Sequence, residues 1–287
     1  MPKSSKSHME TGTRLRQNSG EALSQEETYM IKAVFFDIDG TLVSFQTHRV
    51  SPGVLDGLRR LRTKGVKLFI ATGRHWASTG PAADAFPFDG FITVNGQFCF
   101  AGGQVLRRNP IPRPVVERQV ELLDAAKAPC LFLGEQGTML INQDPRTDVF
   151  PSQLNLSLPD PVPSSRVLEQ EIYQMTAFFT KEEEQAAGDA FFPGLEVMRW
   201  HPAFVDVIAP GGGKDHGMDA VLEHFGFDLS ESMAFGDGEN DLPMLRHAHI
   251  GVAMGNADEF VKKQADYVTD SVDEDGILTA LKHFELI

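Results

Sequence analysis

Cysteine is scarce, with only Cys99 and Cys130 in 287 residues. One pair cannot build a disulfide framework, and nothing around either residue has metal-ligand spacing. Both read as buried thiols of a reducing compartment. Long apolar runs are also missing. No stretch approaches the ~18–20 residues of a bilayer-spanning helix, and the N-terminus lacks a signal peptide's apolar segment. A cytoplasmic protein with no membrane association is expected. Basic residues are outnumbered, 26 Lys and Arg against 40 Asp and Glu, for a net charge of −14. That field repels phosphate backbones and anionic lipids, which argues against a nucleic-acid or membrane-surface binder. An anionic ligand can bind only where local cations or a metal overcome it. Otherwise the composition, 41% hydrophobic and 23% charged, is ordinary for a globular protein with ample core.

Residues 1–29 are rich in Ser, Gln, Thr and Glu, and their only apolar residues beyond methionine are Leu15, Ala22, Leu23 and Tyr29. Burial cannot offset the ordering entropy of such a segment, so a flexible leader is expected. The folded part opens on Ile31-Lys32-Ala33-Val34-Phe35-Phe36, a strand buried on both faces. Ser51-Pro52 starts a helix, with a capping hydroxyl and then proline at the first helical position. Val66-Lys67-Leu68-Phe69-Ile70-Ala71 is a second buried strand. Strand, helix, strand predicts a parallel α/β unit. A third strand over 90–94 leads into Asn95-Gly96, a hairpin turn signal.

The texture then changes. Residues 106–200 predict a helix over 115–127, a hairpin from 130–133 to 139–141, an alternating strand over 173–179, and a proline-rich loop over 151–165. Buried-strand texture returns at Phe204-Val205-Asp206-Val207-Ile208-Ala209. The expectation is therefore a doubly wound, Rossmann-like parallel-sheet core over 30–105 and 201–287, interrupted by a smaller α/β domain over 106–200. No pattern fixes an oligomeric state.

Chemistry collects at the expected strand ends. Asp37 and Asp39, in Asp37-Ile38-Asp39-Gly40-Thr41, follow the first strand, where open parallel sheets bind ligands. Two carboxylates at one place repel, so either a cation such as Mg²⁺ joins them or one stays protonated. Alone, the pair could equally be a polar turn. Thr72-Gly73-Arg74 ends the second strand and offers a hydroxyl, backbone N–H groups and a helix start to an anion. Lys214 follows three glycines and precedes a helix. Gly236-Asp237-Gly238-Glu239-Asn240-Asp241 sets further carboxylates at another strand end, suited to a hard divalent cation, and its spacing does not fit a calcium loop.

These four elements, in this order, resemble the haloacid dehalogenase-like superfamily, in particular its Cof-type branch with an inserted α/β cap. The resemblance covers residues 31–287. Finer features are similar to hexose-phosphate phosphatases of that branch: Leu42-Val43-Ser44-Phe45 with His48-Arg49, Asn95-Gly96, Arg199-Trp200-His201-Pro202-Ala203-Phe204 and Met244-Leu245-Arg246-His247-Ala248. One departure is Lys214-Asp215-His216-Gly217, where the branch commonly has glycine directly after the lysine.

The resemblance implies a phosphatase acting on a small phosphorylated metabolite, with sugar phosphates first. Asp37 would be the nucleophile, forming an aspartyl-phosphate, and Asp39 the acid and base. Mg²⁺ would be held by Asp37, the Asp39 carbonyl and Asp237, with Asp241 behind them. Thr72, Gly73 and Lys214 would hold the phosphoryl oxygens, with Arg74, Asn95 and Asn240 completing the substrate-facing set. Arg199 is a cap-edge candidate for specificity, whereas Trp200 and His201 read equally as packing. A phosphomutase of the same superfamily shares every core motif and is the nearest alternative. A receiver-like phospho-acceptor module and a catalytically dead relative fit less well.

Overall fold

The computed structural model describes residues 30–154, 157–187 and 191–287, and the expected leader lies outside the described residues. In chain order the strands are β1 (Ala33–Phe36), β2 (Lys67–Ala71), β3 (Gly90–Thr93), β4 (Phe98–Ala101), β5 (Gln104–Arg108), β6 (Cys130–Gly134) and β7 (Gly137–Ile141). They continue with β8 (Ile172–Ala177), β9 (Glu196–His201), β10 (Phe204–Ile208), β11 (Ser232–Gly236), β12 (Ile250–Ala253) and β13 (Tyr267–Val268). One sheet runs β13-β12-β11-β1-β2-β3-β4-β5 and the other β7-β6-β8-β10-β9.

The larger sheet is parallel from β13 to β3 and gains an antiparallel edge at β4 and β5. Period-two alternation builds a core on each face. Val34, Phe36, Leu68 and Ile70 pack toward the helices Pro52–Thr63 and Gly276–His283. Ala33, Phe35, Phe69 and Ala71 pack toward Lys214–Phe225 and Leu242–His247. Ser51 caps the first of these helices, accepting from the N–H of Val54 at 3.0 Å. With β1 between β2 and β11, the carboxyl ends of these three strands open into one crevice.

The smaller sheet is antiparallel. One face carries Cys130, Phe132, Met175, Ala177, Val205 and Val207 against the helix Arg113–Ala126. The other lays Leu131, Leu133, Tyr173 and Phe204 onto Val94 and Phe98 of the core. Among the described residues no helix is long and apolar enough to cross a membrane.

Three expectations need correction. Residues 201–287 do not all return to the core, because β10 pairs antiparallel with β8 and β9 and so belongs to the cap sheet. A short apolar run looks the same in either sheet, so periodicity could not assign it. The core's first segment also extends past 105, since β5 reaches Arg108. Finally, part of the proline-rich stretch is helical, over Val149–Leu154, with Pro151 in the first turn where no intrahelical donor is needed.

Candidate active site

The loop after β1 is held close to β11. The Asp37 N–H donates to the Phe235 carbonyl at 3.0 Å, and the Gly40 N–H to the Val43 carbonyl at 2.9 Å. Gly40 lies at φ 77°, and a Cβ there would stand 2.1 Å from the Asp237 carboxylate. Only glycine meets both demands. Asp39 lines the same cleft as Asp37, and the Arg74 guanidinium grips the Asp39 carboxylate through two of its nitrogens, Nε at 2.7 Å.

Lys214 opens its helix and is fully buried, with Nζ 2.6 Å from Asp37 Oδ1 and 2.6 Å from Asp241 Oδ1. The departure after the lysine leaves this geometry intact, since Asp215 pairs with His216 at 3.2 Å instead. The second oxygen of Asp241 accepts the N–H groups of Asp237 and Gly238, each at 2.9 Å. Asp237 accepts from Asn256 Nδ2 at 3.0 Å and more distantly from Thr41 Oγ1 at 3.4 Å.

Charge in this pocket is unbalanced. Burial pushes the Asp37 carboxyl up to about 7; the Lys214 ammonium opposes this, and Asp241 and Asp39 reinforce it. Burial also raises Asp237 well above the ordinary carboxylate range, helped by Asp37, Asp241 and Asp39. Burial works against the Lys214 ammonium too, but Asp241 and Asp37 outweigh it and its pKa rises. The upward shifts of Asp37 and Lys214 are compatible, because one ammonium cannot satisfy several acids. Four carboxylates (Asp37, Asp39, Asp237, Asp241) face two cations, Lys214 and Arg74. With all four acids ionised the deficit is two charges, the charge that one divalent cation carries. Oxygens of Asp37, Asp237 and Asp241 lie within 4.8 Å of one another. Asp241 accepts bonds of 2.6–2.9 Å on both oxygens. Asp237 Oδ1 meets Thr41 only at 3.4 Å, and Lys214 engages Asp37 through Oδ1. Asp37 and Asp237 are therefore the acids best able to turn toward a metal, a donor set that fits Mg²⁺.

The anticipated residues converge, but with different partners. Thr72 and Gly73 line the cleft, and the Thr72 hydroxyl accepts from the Arg74 N–H at 3.1 Å. Arg74 engages Asp39, and Asn95 is buried behind the loops and bonded to Asn240 at 3.1 Å. Arg199 is bound by Glu184 at 2.7 Å and donates to the carbonyls of Phe179, His201, Pro202 and Phe204, so it braces the cap. His201 stacks on Phe204 at 4.7 Å.

Between the core loops and the cap sheet lies a cleft of about 910 Å³, walled on the cap side by Leu131, Leu133, Thr138, Gln174, Thr176 and Asp206. Sequence reasoning missed Asn256, Gln174, Asp206 and His75. Their signals were an amide just beyond the β12 strand end, and polar residues interrupting otherwise apolar strands. His75 accepts the Ala77 N–H on Nδ1 at 3.1 Å, so its proton sits on Nε2 and donates to the cap carbonyl of Gly134 at 3.0 Å.

Comparison with known proteins agrees with this geometry. The sequence profile of the haloacid dehalogenase-like hydrolases matches residues 34–281. YkrA of Bacillus subtilis strain 168, which carries a phosphatase name, is 36% identical over 257 residues, 89% of this chain and 98% of its own. A solved sugar phosphatase of haloacid dehalogenase subclass IIB, BT4131, is 43% identical with a TM-score of 0.84, covering 89% of this chain and all of that one (100%). The phosphatase BT1666 of Bacteroides thetaiotaomicron is 36% identical with a TM-score of 0.83, covering 94% and 100%.

Proposed function

Because this chain belongs to the haloacid dehalogenase-like hydrolases, as a Cof-type phosphatase, we propose that it hydrolyses small sugar phosphates, hexose phosphates foremost, with Mg²⁺ and through an aspartyl-phosphate on Asp37. The observation that carries this reading is Lys214, fully buried and bridging Asp37 and Asp241 at 2.6 Å each beneath the cleft. A lysine buried among acids at strand ends suits a site that must receive a phosphoryl group.

In this reading Asp37 attacks phosphorus, splitting one displacement into two. Asp39, held by Arg74, delivers a proton to the leaving alkoxide and later takes one from the attacking water. Thr72, the Gly73 N–H, Lys214 and Asn240 hold the transferring oxygens. Asp37, Asp237 and the Asp39 carbonyl, with Asp241 behind, would hold Mg²⁺, which would supply the positive charge an anionic substrate needs in an acidic pocket. The apolar Leu131 and Leu133 and the polar Thr138 of the cap face a leaving group of sugar size.

The test is phosphate release from a panel of phosphorylated metabolites with MgCl₂, with EDTA, and with Mg²⁺ restored. Hexose phosphates should rank first in kcat/KM, and rapid quench with labelled substrate should trap an acid-stable, hydroxylamine-sensitive phosphoenzyme. Isomerised product without release of phosphate would refute the reading in favour of a mutase.

A further inference from the structure

We infer that Asn95 is the junction through which the cap holds the phosphoryl-binding loops in register, and that the cap residues Gln174 and Asp206 are positioning residues for hydrolysis. The inference rests on the assignment of Thr72, Gly73, Lys214 and Asn240 to the phosphoryl group.

Asn95 lies in the β3–β4 turn with φ 52°, a left-handed conformation that asparagine tolerates, and it is fully buried. Its backbone N–H donates to the Thr72 carbonyl, and its carbonyl accepts the N–H of Gly213, the residue before Lys214, both at 3.0 Å. Its side-chain oxygen accepts from Asn240 Nδ2 at 3.1 Å. Its amide donates to Gln174 Oε1 and to Asp206 Oδ2, each at 3.0 Å. One residue thus touches all three loops assigned to the phosphoryl group and two strands of the cap sheet.

The cap partners are equally committed. Gln174 Nε2 donates to the Gly73 carbonyl at 3.1 Å, and Asp206 Oδ1 accepts from Thr176 Oγ1 at 2.7 Å. Gln174 and Asp206 are 1% and 2% exposed, so these bonds form out of water's competition. Flipping the Asn95 amide would set donor against donor at Asn240 and oxygen against carboxylate at Asp206, so only one orientation satisfies the set. Contact is tight as well. A Cβ on Gly73 would lie 3.0 Å from Asn95 Nδ2 and 3.2 Å from Asp206 Oδ2. A shift of the cap face is therefore transmitted through the Gly73 carbonyl to the backbone of Gly73, whose own N–H is assigned above to the phosphoryl group.

The experiment compares Gln174→Leu and Asp206→Ala with the parent for kcat/KM on a hexose phosphate, kcat/KM on p-nitrophenyl phosphate, and the inhibition constant of orthovanadate. Thr72→Ala serves as the reference for the site itself. Both cap variants should lose about 10–100-fold in kcat/KM on the two substrates alike, and their vanadate constant should rise by a similar factor, as expected of an ångström-scale misplacement. Asp206→Asn, which can still accept from Asn95, should restore most of what Asp206→Ala loses. A loss confined to the hexose phosphate with vanadate unmoved would make these residues sugar contacts and overturn the inference. A lower Tm with unchanged constants per active site would make them structural and also overturn it. If Thr72→Ala leaves vanadate binding unchanged, the phosphoryl-site assignment has failed and the inference falls with it. If only Thr72→Ala responds, the assignment stands and the cap coupling alone is refuted.

Discussion

The two sheets carry their chemistry in different places. In the central strands of the core sheet both faces are buried, so the polar groups of the candidate site stand just past carboxyl ends, Asp37 after β1, Thr72 after β2 and Asp237 after β11, while Lys214 enters from the start of a helix. The cap sheet has one face on its helices and the other on the cleft. Its polar groups therefore sit within strands, as Gln174 and Thr176 do in β8 and Asp206 in β10. The parallel sheet concentrates charge at one rim, where a cation can gather it. The antiparallel sheet spreads single polar groups among apolar ones, which suits shape recognition and bracing. A substitution at the rim should therefore lower activity whatever the leaving group, whereas one on the cleft-facing leucines should depend on it.

The largest effect is expected at the rim. Asp37→Asn should reduce turnover by about 10⁴-fold or more on every substrate and abolish the trapped phosphoenzyme, as loss of a nucleophile does. Retained turnover measured by phosphate release would remove Asp37 from that role. Next comes Lys214→Met, which keeps volume but leaves Asp37 and Asp241 facing each other in the interior. Removing one partner of a buried ion pair costs about 3–5 kcal/mol, so both urea unfolding and kcat should suffer. Metal addition should recover part of the stability.

The comparison is sharpened by Leu133→Asn. It should change the ratio of kcat/KM between hexose phosphates and p-nitrophenyl phosphate several-fold, corresponding to about 1–3 kcal/mol for one altered pocket contact, while leaving vanadate inhibition alone. An equal effect on both substrates would blur the division between rim and face.

The smallest effect concerns pH. Burial pulls the His75 imidazole below its ordinary value of 6.5. As pH falls, the unfolded chain takes up that proton first. The stability His75 contributes is therefore complete above about pH 6.5 and is lost as pH drops toward the folded value. Protonation would also set an Nδ1–H against the Ala77 N–H. The difference in unfolding free energy between the parent and His75→Gln, which isolates this group from the acids of the site, should shrink by up to about 1 kcal/mol, the size of one hydrogen bond, between pH 7.5 and pH 5.5.

Much of the core was legible in sequence for the same reason its chemistry is at the rim. Buried strands such as β1 and β11 announce themselves as apolar runs, and the first acid after each run marks a strand end. Arg74 and Asn95 were read as substrate-facing, and the structure gives them protein partners as well, Asp39 and Asn240 among them, since a motif fixes a side chain's position in the chain and not what it will meet. The cap's contribution was harder to read. Gln174 and Asp206 matter because a β10 strand 111 residues beyond Asn95 in the chain, and a β8 strand 79 beyond, come to its amide, and no local pattern encodes that approach. β10 itself was assigned to the wrong sheet, although an aspartate in the middle of Phe204–Ile208 was out of keeping with a strand buried in the parallel core.

The seam between the sheets also holds Trp76, stacked on Phe98 at 4.3 Å and on His75 at 3.8 Å, with Tyr173 of the cap edge-on at 6.2 Å. The chain has only one other tryptophan. A Trp200→Phe variant would thus leave a single indole emitter at the place where cap meets core. Its emission wavelength and its quenching by acrylamide would read, without any label, how often that seam opens to water during turnover.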